Sequence, residues 1–285
     1  RRVVTRIEGA RIEPLSELLN RDLDYVASAL REEFARMAGK RVLITGGGSG
    51  TGADMARGFA EAGATVIIAG RRADALRAIA DTTGATPVTA DVTNEASVAA
   101  MFAAAGPCDI VIANAGAGES APVTRTSLDH WNRMIAVNLT GTFLTLRDGL
   151  RQMDGRERNP GWGRLISIAS VAGLKGAPYI AAYSAAKHGV VGLTRSLALE
   201  VARKGITANA ICPGYIDTAM TDSTIANIME KTGKSHADAL ATLAATSSQN
   251  RLIAPSEVTA AALWLCGPGS EGINGQAIAI TGGEA

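Results

Sequence analysis

Tyr183 and Lys187 stand four residues apart in the run YSAAK, inside a stretch that reads as a helix near 179–203. Four residues is about one helical turn, so both side chains project from the same face. A phenol ordinarily titrates near pH ~10, and an ammonium beside it stabilises the phenolate, which predicts a tyrosine drawn towards a range useful for proton transfer. The pair therefore points to acid–base chemistry at an oxygen. A tyrosine and a lysine at this interval also arise by chance, so their meaning depends on context.

A second constellation suits an anion. The strand-like run VLIT (42–45) leads into GGGSGTG (46–52) and then into the helical run ADMARGFAEAG, which puts Gly46, Gly50 and Gly52 on a strand-to-helix turn. A pyrophosphate needs close approach to backbone N–H groups at a helix N-terminus, and side chains on the turn would obstruct it. The spacing is G-x-x-x-G-x-G rather than the commoner G-x-G-x-x-G. The next strand ends in AGRR, with no acid to accept a ribose 2′-hydroxyl. Arg71, with Arg72 beside it, can instead pair with a 2′-phosphate, so NADP(H) is favoured and NAD(H) is the alternative.

These groups need a scaffold, and its periodicity is legible. The runs 42–45, 65–70, 109–116 and 164–170 are short and apolar, and read as buried strands. Helical stretches at 53–62, 95–105 and 129–152 lie between them. Two further units follow, a helix near 179–203 with strand ITANAIC and a helix near 256–266 with strand QAIAIT. Strand–helix alternation of this kind predicts an α/β fold of the Rossmann type: a doubly wound sheet of seven parallel strands with helices on both faces. Residues 15–37 add an amphipathic stripe (Leu15, Leu19, Leu23, Val26, Leu30, Phe34, Met37) closed by Gly39. The expected organisation is thus an N-terminal extension with one extra helix at 1–39 and a single catalytic domain at 40–285. DGRERNPGWG (154–163) reads as a polar surface turn. Residues 218–254 hold two short helical patterns with no strand between them, beyond a strand's carboxyl end, and are expected to form a substrate lid broken at Gly233.

Composition narrows the function. The 285 residues are 47% hydrophobic and 19% charged, which suits one well-buried core, and 28 basic against 27 acidic residues leave a net charge of +1. No long-range field favours nucleic acid or an anionic membrane. Apolar runs fall far short of the roughly 20 residues of a membrane-spanning helix. The opening residues carry charges but no apolar core with a cleavage site, so a cytoplasmic location is expected. Cys108, Cys212 and Cys266 are widely spaced and read as small buried hydrophobes; His130, His188 and His236 share no metal-ligand spacing, and no metal is expected.

Several further motifs fall in a fixed order: TGGGSGTG (45–52), DVT (91–93), NAG (114–116), Asn138, Ser170, YSAAK (183–187), PGYIDT (213–218) and NGQAIAITGG (274–283). In these the chain resembles the short-chain dehydrogenase/reductase family over residues 41–283. The resemblance implies hydride transfer between a ketone and a secondary alcohol, with Asn138, Ser170, Tyr183 and Lys187 as a catalytic tetrad. Tyr183 would donate the proton, Ser170 would bind the carbonyl oxygen, Lys187 would lower the tyrosine's pKa and hold the nicotinamide ribose, and Asn138 would anchor a relay water. It also implies cofactor contacts from Gly46, Gly48, Ser49, Gly50, Thr51 and Gly52; from Asp91 and Val92 at the adenine; from Asn114, Ala115 and Gly116; and from Pro213, Gly214, Ile216 and Thr218 at the carboxamide.

The pattern departs from the family at Ala113, Thr51 and Thr281, none of them in the tetrad. The YSAAK to PGYIDT stretch is similar to β-ketoacyl-thioester and actinorhodin-type polyketide ketoreductases, which leans the substrate towards a 3-oxoacyl thioester; another small alcohol or a sugar-derived substrate is the alternative. A non-catalytic nucleotide-sensing regulator would be expected to lack tetrad residues, and all four are present. Family members commonly pair the helices that carry Asn138 and Tyr183 across a twofold axis, so a homo-oligomer, specifically a tetramer, is expected.

Overall fold

The computed structural model describes residues 37–154 and 159–284. Among these residues seven strands form one parallel sheet: β1 (Arg41–Thr45), β2 (Thr65–Gly70), β3 (Thr86–Thr89), β4 (Ile110–Ala113), β5 (Gly163–Ile168), β6 (Ile206–Pro213) and β7 (Ala277–Ile280). Their spatial order is β3-β2-β1-β4-β5-β6-β7, and every neighbouring pair is parallel. The chain therefore reverses its direction of winding at β1, whose two neighbours are β2 and β4. A crevice opens there at the strands' carboxyl ends, where open α/β sheets bind ligands.

The central strands are buried on both faces, as a continuous Val/Ile/Leu run requires when helices cover the sheet on each side. Helices α1 (Gly50–Glu61), α2 (Ala73–Thr83) and α9 (Pro255–Cys266) cover one face, where Met55, Phe59, Leu76 and Val258 pack on Val42, Ile44, Ile68 and Ile112. On the other face lie α3 (Glu95–Ala105), α5 (Gly141–Met153) and α6 (Ala181–Val201), where Val98, Phe102, Leu146 and Leu197 pack on Leu43, Ile67, Val111 and Leu165.

The expected helix at 129–152 is two helices in line, α4 (Leu128–Ile135) and α5, joined by a π turn at Ala136–Thr140. Such a turn inserts an extra residue and redirects the side chains on it. The segment expected to act as a lid forms α7 (Ala219–Thr232) and α8 (His236–Ala244), and Gly233 ends α7 in the left-handed conformation (φ 69°). Ile225, Ala239 and Leu243 make a small core of their own, with Tyr215 against it. The helical stripe expected at 15–37 lies outside the described residues except for Met37, which is buried and donates its N–H to Ala62 O at 2.9 Å.

Candidate active site

Each expected cofactor segment leaves the carboxyl end of a strand and converges on the crevice. Ser49 stands at the N-cap of α1 with no side-chain cap, and the first turn of α1 holds no acidic residue, so its backbone donors are available to an anion. Gly52 lies deeper than expected: a Cβ there would stand 2.3 Å from Gly46 O, so it is needed for helix–turn packing. Gly50 meets the methyl of Thr218, at 3.3 Å from its would-be Cβ, which brings the phosphate loop against the segment after β6. A diphosphate fits this cradle, and Arg72 Nη2 reaches across it to Ser49 Oγ at 3.3 Å.

Asp91 accepts from the N–H and hydroxyl of Thr93, at 2.9 and 2.8 Å, and these bonds hold its carboxyl below the usual range, with a smaller contribution from Arg71. Arg71 and Arg72 follow the end of β2, with Arg72 turned to Ser49. Val92 turns its side chain into the core against Gly141, so the adenine contact expected of it is left to its backbone. At the end of β4, Asn114 Nδ2 donates to Thr45 O at 2.9 Å, and the N–H groups of Asn114 and Ala115 both donate to Thr45 Oγ1 at 3.1 Å. Thr45 opens the TGGGSGTG run, but the sequence assigned it no role of its own. Pro213 ends β6, and Ile216 O accepts from Thr221 Oγ1, which ties the first turn of α7 to that segment.

Tyr183, Lys187, Ser170 and Asn138 come together around Gly116 and the end of β5. The π turn aims Asn138 inward, fully buried; its Nδ2 donates to Ala117 O (2.9 Å) and Met134 O (3.0 Å), and its Oδ1 accepts from Ala117 N–H (3.2 Å). Gly116 is closely walled: a Cβ there would stand 2.9 Å from Asn138 Oδ1 and 3.7 Å from Lys187 Nζ. Buried Lys187 donates from Nζ to Ile168 O at 2.8 Å and lies over the Tyr183 ring, 5.6 Å from its centre. Ser170 Oγ accepts from Ala172 N–H at 3.1 Å, which orients that hydroxyl at the end of the β5 loop.

Electrostatically, both members of the pair lose ground to burial. Desolvation lowers Lys187 to about 8 and pushes the Tyr183 phenol up, with the Ser170 hydroxyl pulling the latter back. The tyrosine lowered by its ammonium neighbour, as the spacing predicted, is therefore not what the protein alone presents. Lys187 is buried and Tyr183 half-buried, and removal from water disfavours the charged form of each. Cys212, buried beside them on β6, is likewise pushed up to about 11 by burial.

The arrangement can hold a proton on an oxygen beside a buried ammonium, next to a cradle for a diphosphate. Among the described residues there is no cluster of three His, Cys, Asp or Glu able to hold a metal, and no helix long and apolar enough to cross a membrane.

Comparisons with known proteins agree with this geometry. A family model described as short chain dehydrogenase matches residues 40–228. The D-beta-hydroxybutyrate dehydrogenase of Rhizobium meliloti is 35% identical over 256 residues, covering 86% of this chain and 98% of the relative. The 3-oxoacyl-[acyl-carrier-protein] reductase of Aquifex aeolicus is 33% identical over 258 residues, covering 87% and 98%. A crystal structure of an actinorhodin polyketide ketoreductase variant with NADPH superposes with a TM-score of 0.80 at 35% identity, covering 86% of this chain and 97% of the other.

Proposed function

This chain belongs to the short-chain dehydrogenase family, and from that premise we propose that it interconverts a ketone and a secondary alcohol, with Tyr183 as the proton donor and NADP(H) as its preferred cofactor. The observation that carries the reading is the convergence of Tyr183, Lys187, Ser170 and Asn138 at the mouth of a diphosphate cradle. The nicotinamide, when bound, supplies or accepts the hydride.

The chain's own residues do the rest. The Ser170 hydroxyl donates to the carbonyl oxygen and orients it, and Tyr183 gives its proton to that oxygen as negative charge develops there. Burial keeps the phenol protonated at neutral pH, the form needed for reduction. The Lys187 ammonium stabilises the phenolate left behind. Asn138, tied to the backbone of Ala117, fixes the wall behind Lys187. In the cofactor cradle, the backbone around Ser49 to Thr51 would hold the diphosphate, Arg71 and Arg72 a 2′-phosphate, and the Pro213–Thr218 segment the carboxamide.

A 3-oxoacyl thioester remains the favoured substrate class, supported by the similarity to acyl-thioester and polyketide ketoreductases. An open groove of about 590 Å³ runs between α7 and the loop after β4, lined in part by Glu119, Asn227, Glu230 and Lys231, and offers a path for a long substrate arm. Asn227 Nδ2 reaches Ser120 Oγ across it at 3.2 Å, which supports the lid role of residues 218–254. Lys234 points elsewhere, to Thr242 at 3.0 Å. The exposed face of α6, with Ala185, His188, Gly192 and Leu199, and exposed Phe143 on α5 support a homo-oligomer, specifically a tetramer. Absorbance of reduced nicotinamide with a panel of ketones and alcohols tests the function: turnover of at least one is expected, and tight NADPH binding with no turnover of any would overturn it.

A further inference from the structure

Residues 281–284, which follow β7, fold back against the segment after α8. Ser247 Oγ and Ser248 Oγ donate to the carbonyls of Gly282 and Gly283, each at 3.2 Å, and Gln249 N–H donates to Gly282 O at 3.2 Å. Thr281, where the resemblance leads one to expect an aspartate, accepts the N–H of Glu284 on Oγ1 at 3.2 Å. Lys175, on the loop after Ser170, donates to Glu284 O at 2.8 Å. Glu284 is thereby held between the lid's end and the loop that carries Ser170.

Its side chain is turned inward, only 10% exposed, and Oε2 lies 3.2 Å from where a Cβ on Gly214 would stand. The next residue, Tyr215, is half-buried and packs against the small core formed by Ile225, Ala239 and Leu243. Glu284 therefore lies against Gly214, between the segment after α8 and the loop that follows Ser170. The Glu284 carboxylate is also poorly satisfied. Its side-chain partners are Lys175 Nζ at 3.4 Å and Thr246 Oγ1 at 3.5 Å, both at the long limit of a hydrogen bond. An ionised carboxylate only accepts, and a mostly buried one gains from any further donor while repelling a second anion.

On the reading of the chain as a ketone reductase, we propose that Glu284, presented beside Tyr215, is a specificity-determining residue: it accepts a hydrogen bond from a hydroxyl or ammonium on the carbonyl substrate and refuses a carboxylate in that place. Lys175 sets how much negative charge is offered, because its ammonium partly neutralises Glu284. This would separate the chain from its relative named for a hydroxy acid, the D-beta-hydroxybutyrate dehydrogenase.

Three ketones of similar size test it: hydroxyacetone, butanone and pyruvate, reduced with NADPH. The quantity read is the ratio of kcat/KM for hydroxyacetone to that for pyruvate, in which any general loss of activity cancels. Wild type should favour hydroxyacetone. Glu284→Gln, which keeps size and removes charge, should lower the ratio by about tenfold or more, the scale of one charge-assisted hydrogen bond. Lys175→Met, which unmasks the carboxylate, should raise it. An unchanged ratio in Glu284→Gln, a shift in the same direction in both variants, or a wild-type preference for pyruvate would overturn the proposal while leaving the reductase reading intact if butanone is reduced. Absence of turnover with these ketones and with the wider panel would instead remove the reductase reading, and the proposal with it.

Discussion

Lys187 Nζ lies 5.6 Å from the centre of the Tyr183 ring while its hydrogen bond goes not to the phenol but to Ile168 O at 2.8 Å. The ammonium thus acts on the tyrosine through space, and the carbonyl at the end of β5 decides where it stands. Burial of that ammonium, which lowers it to about 8, has consequences that can be measured.

The first concerns pH. Above about 8 Lys187 loses its charge and no longer stabilises the phenolate that reduction leaves, so kcat/KM for the ketone should fall along an alkaline limb near that pH. Stability should move the other way. The folded pKa of Lys187 lies below its ordinary 10.5, so between about 8 and 10.5 the unfolded chain binds more protons and this residue's contribution to stability rises with pH. A pH–rate profile of the free enzyme, beside chemical denaturation of wild type and Lys187→Met, reads both. An alkaline limb only near the ordinary lysine range would contradict the assignment.

Gly116 tests the geometry without touching a reacting group. A methyl there would stand 2.9 Å from Asn138 Oδ1, so Gly116→Ala must shift Asn138 away from Ala117. Leaving a buried amide short of its partners costs about 1–3 kcal/mol, and kcat should fall with it. Thermal unfolding and steady-state kinetics are the checks, and wild-type values in both would show that the Asn138 wall is not needed.

Cofactor preference should follow Arg71. Gly70→Asp combined with Arg71→Ala supplies an acceptor for a ribose hydroxyl and removes a phosphate partner, a change of about 1.5–3 kcal/mol in favour of NADH. The ratio of kcat/KM for NADPH to that for NADH measures it. A wild-type enzyme that already prefers NADH would contradict the arginine reading.

Much of this was legible in the chain. Six of the seven strands could be located as short apolar runs, and five of them, β1, β2, β4, β5 and β6, are the strands buried on both faces, which must be apolar throughout. The exception was β3, which is short, largely exposed and carries Pro87; at the sheet's edge it needs little apolar pattern and tolerates a missing donor. The π turn at Ala136–Thr140 left no sequence mark, since it has neither proline nor glycine and depends on tertiary bonds from Asn138 to Ala117. Arg164, counted at the start of an apolar strand, is fully buried under Trp162 and donates to Leu265 O at the end of α9, a partner 101 residues away. The tetrad was visible by spacing and family likeness, but the electrostatics of Tyr183 were not, because desolvation depends on the whole pocket. Glu284 escaped notice, and Thr45 was given no role of its own, for a similar reason: each matters through partners distant in sequence.

The central claim is that Tyr183 is the acid, and its most direct test is the rate of NADPH oxidation by Tyr183→Phe with a ketone that wild type reduces. The ring and its packing are kept while the proton is removed, so kcat/KM should fall by about 10² to 10⁴, the range of general acid catalysis, with NADPH affinity nearly unchanged. Turnover at the wild-type rate in that variant would contradict the account.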